Sequence, residues 1–388
     1  LPRGLLVLLA MLTMLCSTIG CKKSSGTASG QGGQAKLKIG LITDVGGRGD
    51  QSFNDSGLRG LETWAAGVKY SPSGYSPLSE DEFKATVPAD VAGGQLAHLG
   101  VEPVVVQAKS QEDYEPDLQL SVDDGTALTV AVGFMFESSV ATVSKRNPNA
   151  KFLLVDSPIL DASNAPYVLP NVATLTFREQ EGSYLVGVLA AQVSGSGKVG
   201  FVGGMEQPLI KKFEAGFKAG VRKANPNATV LVSYTGSFDN PNAGKQAAQD
   251  LLSKGADVIF QAAGADGLGV IAAVKEARAA GKNVYVVGVD SDQAHLAPEA
   301  VLTSMVKHVD LAVYRTIQSV QTGTFKAGDV QWGIKEGGVG LAPIRVNLPN
   351  KDKLTADLDA ISKQIASGEI KVPATLTELD AQAATKSP

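Results

Sequence analysis

Past residue 21 the chain contains no cysteine: Cys16 and Cys21 are the only two in 388 residues. The body therefore has no disulfide, no thiol nucleophile and no thiolate metal site. Histidine is almost as scarce, with His98, His295 and His308 scattered and none at a metal-ligand spacing beside another. The sequence has no Gly-x-x-x-x-Gly-Lys-Ser/Thr phosphate loop and no Gly-x-Ser-x-Gly nucleophile elbow. An enzymatic reading starts at a disadvantage. The formal charge of −4 gives no basic excess, which argues against a nucleic-acid partner.

Long apolar runs are also missing. The one candidate, Leu5–Leu15, is shorter than the roughly 20 residues that span a bilayer. It follows a single basic residue, Arg3, and leads into Ser17-Thr18-Ile19-Gly20-Cys21. That order reads as an export signal over 1–20 with Cys21 as the lipid-attachment cysteine. Thr18 stands where such signals usually carry leucine; the alternative is an ordinary cleaved signal, or a short apolar anchor, with Cys21 a bystander. Residues 21–35 are polar and glycine-rich, a composition that behaves as a flexible tether. The expected location is the cell envelope, with the body anchored by acyl chains on a membrane and facing the periplasm or exterior.

What the body has in abundance is glycine, 43 residues, and a regular alternation of short apolar runs with segments of helical period. This is the pattern of parallel βαβ units, hence an α/β fold. Strands are expected at 37–43, 101–107, 128–133, 152–155, 172–176, 199–202, 230–234, 258–261, 284–289 and 301–305. Leu209, Phe213, Phe217 and Val221 step by four along one side of a helix over 204–223, a stripe expected to face the core. Two sets of such units predict two doubly wound parallel-sheet lobes: 36–160 with about 305–330, and 161–304 with about 331–370. Residues 67–100, rich in Pro, Ser and Gly, interrupt the first set as a surface insertion. Residues 371–388 are expected to be a loosely held tail.

In such sheets ligands settle at the carboxyl ends of strands. Those positions carry Asp44, Phe53 and Asn54 after the first strand, Phe134 and Met135 after another, and Asp156 after a third. In the second half Phe238, Gly264 and Asp290 stand at comparable places. Acids, amides and aromatics in both halves would furnish a cleft between lobes. Taken alone, the 44–54 segment reads equally well as a capped helix with Phe53 in the core.

The runs DVGGRGDQSFNDSGLRGLE (44–62), DYEPDL (113–118), FREQEGSYLVG (177–187), GGMEQPLIKKFEAGF (203–217), GADVIFQAAGADGLGVI (255–271), VGVDSDQ (287–293) and SMVKHVDLAVY (304–314) closely resemble the basic membrane protein family of substrate-binding lipoproteins, which includes the purine nucleoside receptor A type of ABC importer component. The resemblance spans about 36–370; the 67–100 segment departs from it by its length. It implies the type I periplasmic-binding-protein fold, with two lobes joined by crossing hinge segments, and a purine nucleoside in the cleft. It further implies Phe53 and Phe238 sandwiching the base, with Asp44, Asn54 and Asp156 at its edge or the sugar. Asp290 and Lys307 match positions that hold ribose hydroxyls, Gly264 lies against the sugar, and Phe134 and Met135 line the wall. The implied partners are ABC permease subunits and the membrane; no cofactor and no metal is implied.

Three readings remain open on the residues. One is the nucleoside receptor; another is a receptor of the same fold for a sugar or other small signalling ligand. The third is an interaction or regulatory lipoprotein that moves no solute. Paired acids such as Asp290 and Asp292 could serve glycoside hydrolysis, but in a sugar-binding cleft they more often accept hydroxyl hydrogen bonds.

Overall fold

The structure, a computed structural model, describes residues 36–89 and 91–384. The export signal, the tether and Cys21 lie outside the described residues. In chain order the strands are β1 (Lys38–Thr43), β2 (Val68–Ser71), β3 (Gly74–Pro77), β4 (Glu102–Gln107), β5 (Leu128–Val132), β6 (Phe152–Val155) and β7 (Val172–Phe177). They continue with β8 (Lys198–Gly203), β9 (Thr229–Tyr234), β10 (Val258–Ala262), β11 (Tyr285–Asp290), β12 (Val301–Lys307), β13 (Gly328–Trp332) and β14 (Val339–Leu341).

Two six-stranded sheets form the cores of two lobes. The first runs β4-β1-β5-β6-β7-β13 and is parallel throughout. The second runs β9-β8-β10-β11-β12-β14, with only β14 antiparallel. Central strands such as β5 (LTVAV) and β10 (VIFQA) are buried at every residue, because helices cover both faces of a parallel sheet. On helix Pro208–Ala224 the stripe does face inward: Phe213, Phe217 and Val221 are buried, and Phe217 packs with Phe201 and Phe260. Its partner is helix Glu179–Val193. A Cβ at Gly187 would strike the Phe217 carbonyl and one at Gly220 the Tyr184 carbonyl, so these two glycines set the close approach.

The chain crosses between lobes three times. It leaves β7 at Phe177 for helix Glu179–Val193, leaves β12 at Lys307 for helix Val309–Gln321, and passes from β13 into β14. The first crossing differs from the sequence expectation of a boundary at 160. Val172–Phe177 pairs with β6 and β13 in the first sheet, and β12 stays in the second sheet through Lys307. The βαβ rhythm misplaces this border because the β6–β7 connection contains no helix, only an isolated bridge between Leu160 and Pro166.

The 67–100 segment is more ordered than a plain loop. It holds the β2–β3 hairpin and a short helix, Glu80–Ala85, closed by a Ser79–Glu82 capping box, and it buries Phe83 and Val91. Arg48 pairs with both Glu62 oxygens and lies 3.9 Å over the Tyr70 ring, while the Tyr75 hydroxyl donates to Glu62 at 2.5 Å. The segment expected to trail loosely from 371 instead forms helix Leu376–Ala384. Its Leu379 is buried and its carbonyl accepts from Arg222.

Candidate functional site

Strand ends of both lobes converge on one hollow. It is lined by Asp44, Gly46, Asp50, Phe53, Asn54, Phe134 and Asp156 from the first lobe. The second lobe supplies Leu209, Ile210, Phe213, Phe238, Ala262, Gly264, Val289, Asp290 and Lys307. Each position has a local cause. Asp50 accepts from the backbone amides of Ser52, Asn54 and Asp55. It thereby starts the first helix and leaves Phe53 half-exposed toward the hollow. Asp156, immediately after β6, and Asp290, the last residue of β11, are in left-handed backbone, φ 73° and 63°, a conformation uncommon for non-glycine residues. Gly264 (φ 56°) allows the turn after β10 to pass against Phe238.

Lys307 is the centre of the charge. Its Nζ donates to Asp156 Oδ2 at 2.6 Å and lies 3.7 Å from Asp290 Oδ1, and all three side chains are almost fully buried. Three rings surround the same ammonium: Phe53 at 4.6 Å, Phe177 at 5.5 Å and Phe213 at 5.6 Å. Burial alone would lower the Lys307 pKa, but Asp156, Asp290 and Glu179 outweigh it and hold the pKa above its ordinary value. Burial pushes the Asp290 carboxyl up, against Lys307 and the 2.6 Å bond from Ser52 Oγ. Asp156 Oδ1 is buried with no hydrogen-bond partner among the described residues. An acceptor left open in this way beside a cation suits a ligand hydroxyl.

At the other end of the hollow, Asn54 Nδ2 bridges two acids, donating to Asp44 Oδ1 at 2.7 Å and Asp50 Oδ2 at 3.1 Å. Burial raises Asp44 to about 6 and Asp50 to about 7 from an ordinary 3.8. The folded state therefore binds these protons more tightly than the unfolded chain. Their stabilisation is full below about pH 4 and is lost as pH rises through 6 to 7. Urea unfolding of the ligand-free protein is expected to show a component of stability that grows as pH falls from 8 to 5. Asp44→Asn should remove about 1.4 kcal/mol of that dependence, the one unit between pH 6 and pH 5. Identical pH slopes for the variant and the natural chain would contradict this origin.

Nine of the ten ligand-binding residues expected from the sequence line the hollow. Met135 does not: its sulfur takes a contact from Gln111 Nε2 at 3.2 Å, and it packs on the core cluster around Tyr114 and Phe136. The tight turn after β5 directs Phe134 into the hollow, edge-on to Phe238 at 6.2 Å, and its neighbour away from it. Seven lining residues are not among those expected: Gly46, Asp50, Leu209, Ile210, Phe213, Ala262 and Val289. Asp50 reads as a helix cap, Leu209, Ile210 and Phe213 lie on or beside a core stripe whose N-terminal turn emerges at the cleft, and Gly46, Ala262 and Val289 carry no polar side chain to mark them.

The hollow is about 50 Å³, well under the roughly 300 Å³ at which small-molecule sites begin, so this is a contracted arrangement. A larger void, about 650 Å³, flanks the crossings and is walled by Arg59, Asp292, Asp310, Arg345 and the 86–89 segment. Both of its arginines are already engaged, Arg59 by Asp310 and Arg345 by Asp292, and its only rings are the imidazoles of His295 and His308, with no Phe, Tyr or Trp among its lining residues. Recognition chemistry is concentrated in the smaller hollow.

The family model for ABC transporter substrate-binding proteins of the PnrA-like type matches residues 36–376. The chain belongs to this family. Among curated PnrA-like relatives, basic membrane protein A of Borreliella burgdorferi is 34% identical over 351 residues, covering 89% of this chain and 91% of that protein. The ABC transporter nucleoside-binding protein BmpA of Lactococcus lactis is 31% identical over 373 residues, covering 91% and 94%. A solved solute-binding protein of an ABC transporter system from Aeropyrum pernix superposes with a TM-score of 0.71 at 29% identity, covering 89% of this chain and 96% of that one. The two-lobed arrangement of this PnrA-like chain is the type I periplasmic-binding-protein fold of such neighbours. No described helix is long and apolar enough to cross a membrane.

Proposed function

We propose that this chain captures a purine nucleoside between its lobes and hands it, unchanged, to the permease of an ABC importer while acyl chains on Cys21 hold it at the membrane. The observation that carries the reading is a single hollow with a phenyl ring from each lobe, Phe53 and Phe238, beside a buried Asp156–Lys307–Asp290 set. Two flat apolar faces suit a heterocycle. Ionised carboxylates beside an ammonium suit vicinal hydroxyls, which donate to the acids and accept from the lysine. Asp44 and Asn54, with Gly46 between them in space, offer donors and acceptors to the edge of the base. Nucleotides are disfavoured, because the hollow's one lysine is already outnumbered by acids. The lobes part to admit the ligand, which then bridges them and favours closure.

A thermal-shift panel tests this. Purine nucleosides should raise the melting temperature, with stabilisation of about 2.7 kcal/mol at a ligand concentration 100 times Kd. Free ribose and nucleoside phosphates should give little shift. A shift with sugars and none with any nucleoside would replace the reading by that of a sugar receptor.

A further inference from the structure

Gln293 closes the motif VGVDSDQ yet lines neither void. It is fully buried in the second lobe, and its side chain and amide make four hydrogen bonds while its carbonyl accepts a fifth from the Leu296 amide. Its Oε1 accepts from the Val289 amide at 3.0 Å and from Gln261 Nε2 at 2.9 Å, and its own amide donates to Ser304 Oγ at 3.0 Å. Its Nε2 donates across the cleft to the Gln51 carbonyl at 3.0 Å. The Val289 amide can only donate, which fixes the oxygen on that side and turns the NH2 group toward the first lobe. Room for the side chain comes from Gly288, where a Cβ would meet both Gln293 Oε1 and Ser304 Oγ at 2.5 Å.

The recipient is an unusual piece of backbone. Gln51 is in left-handed conformation, φ 53°, two residues before Phe53. Its neighbour Ser52 is bound from the same side: Ser52 Oγ donates to Asp290, and Ser291 Oγ donates to the Ser52 carbonyl at 3.2 Å. The loop that presents Phe53 is thus held by the opposite lobe only when the lobes are together.

We infer that Gln293 is a positioning residue that couples lobe closure to the placement of Phe53, stabilising the closed state through its bond to Gln51 without touching the ligand. Gln293→Glu isolates that bond. Ionised, the carboxylate keeps both acceptor roles toward Val289 and Gln261 but has no NH to give and faces the Gln51 carbonyl oxygen; protonated, its O–H would donate there, so the variant is read at high pH and Gln293→Met, which cannot donate at any pH, decides. Closed complexes should then open faster while encounter with the open form is unchanged.

The experiment uses the full chain with Cys16 and Cys21 replaced by serine and spin labels on Leu120→Cys in the first lobe and Lys282→Cys in the second. Ligand-free Gln293→Glu should shift the interlobe distances toward the longer, open population. In stopped flow with guanosine, which rests on the nucleoside reading, koff should rise about tenfold with kon unchanged. Gln293→Met, uncharged and of similar length, should show the same opening and serves where the Glu variant fails to fold. A lower melting temperature with unchanged distances would mean a purely structural role and overturn the inference, as would unchanged distances and koff together. If the natural chain binds no nucleoside, that defeats the proposed ligand, and the distance measurement alone decides the role of Gln293.

Discussion

Lys307→Met is expected to cost about 3–5 kcal/mol of folding stability, the usual penalty for removing one partner of a buried ion pair. The ammonium is the only cation within the hollow's lining, and Asp156, Asp290 and Glu179 all act on it. Without it, Asp156 and Asp290 face each other almost fully buried. Each would be neutralised by taking up a proton, which turns a charge-assisted acceptor into a weaker, partly donating one and takes away the strong acceptors on which the sugar depends. Nucleoside binding should therefore fall below detection in calorimetric titration, and the urea midpoint should drop with m unchanged. Adding Asp156→Asn to Lys307→Met should recover part of the stability but none of the binding, because it removes one of the two buried acids that must take up a proton without restoring the cation. Full-strength nucleoside binding by the single variant would show that the ammonium lies outside the recognition set.

Phe238→Ala has the second largest expected effect and acts on binding with little change in stability. In the ligand-free protein the ring is half-buried, meets Phe134 edge-on and rests against the Gly264 turn. A stacked base gains about 1–3 kcal/mol from an aromatic face, so Kd should rise roughly 5- to 150-fold. Phe53→Ala is a less clean test, since the Phe53 ring also lies 4.6 Å from Lys307 Nζ and its loss would disturb the cation too. Any residual affinity for free ribose should be indifferent to Phe238. Equal loss for ribose and nucleoside on truncation would assign the ring to packing.

Much of this arrangement was legible in the sequence, for identifiable reasons. Parallel strands buried on both faces leave continuous apolar runs, so β5, β6, β8 and β10 could be read almost residue by residue. Polar residues immediately after such runs stand at strand ends, which makes Asp44, Asp156 and Asp290 recognisable from the sequence. Periodicity failed where the rhythm itself broke. The β6–β7 connection lacks a helix, so Val172–Phe177 was assigned to the wrong lobe, and with it the first crossing. Met135 was misread because the turn following Gly133 rotates successive side chains to different sides, which spacing cannot reveal. Phe213 was read as core; it is core, buried to 2%, and at the same time a wall of the hollow and part of the cage around Lys307. Leu379 looked like part of an unattached tail because a single buried contact has no periodic signature.

A crystal structure of the chain grown with a purine nucleoside tests the central claim most directly. The account predicts the base between Phe53 and Phe238, with the ribose hydroxyls on Asp156, Asp290 and Lys307 and the hollow widened to hold them. A nucleoside seated instead in the void flanking the crossings, with the hollow still contracted and Asp156 Oδ1 still unpartnered, would contradict it.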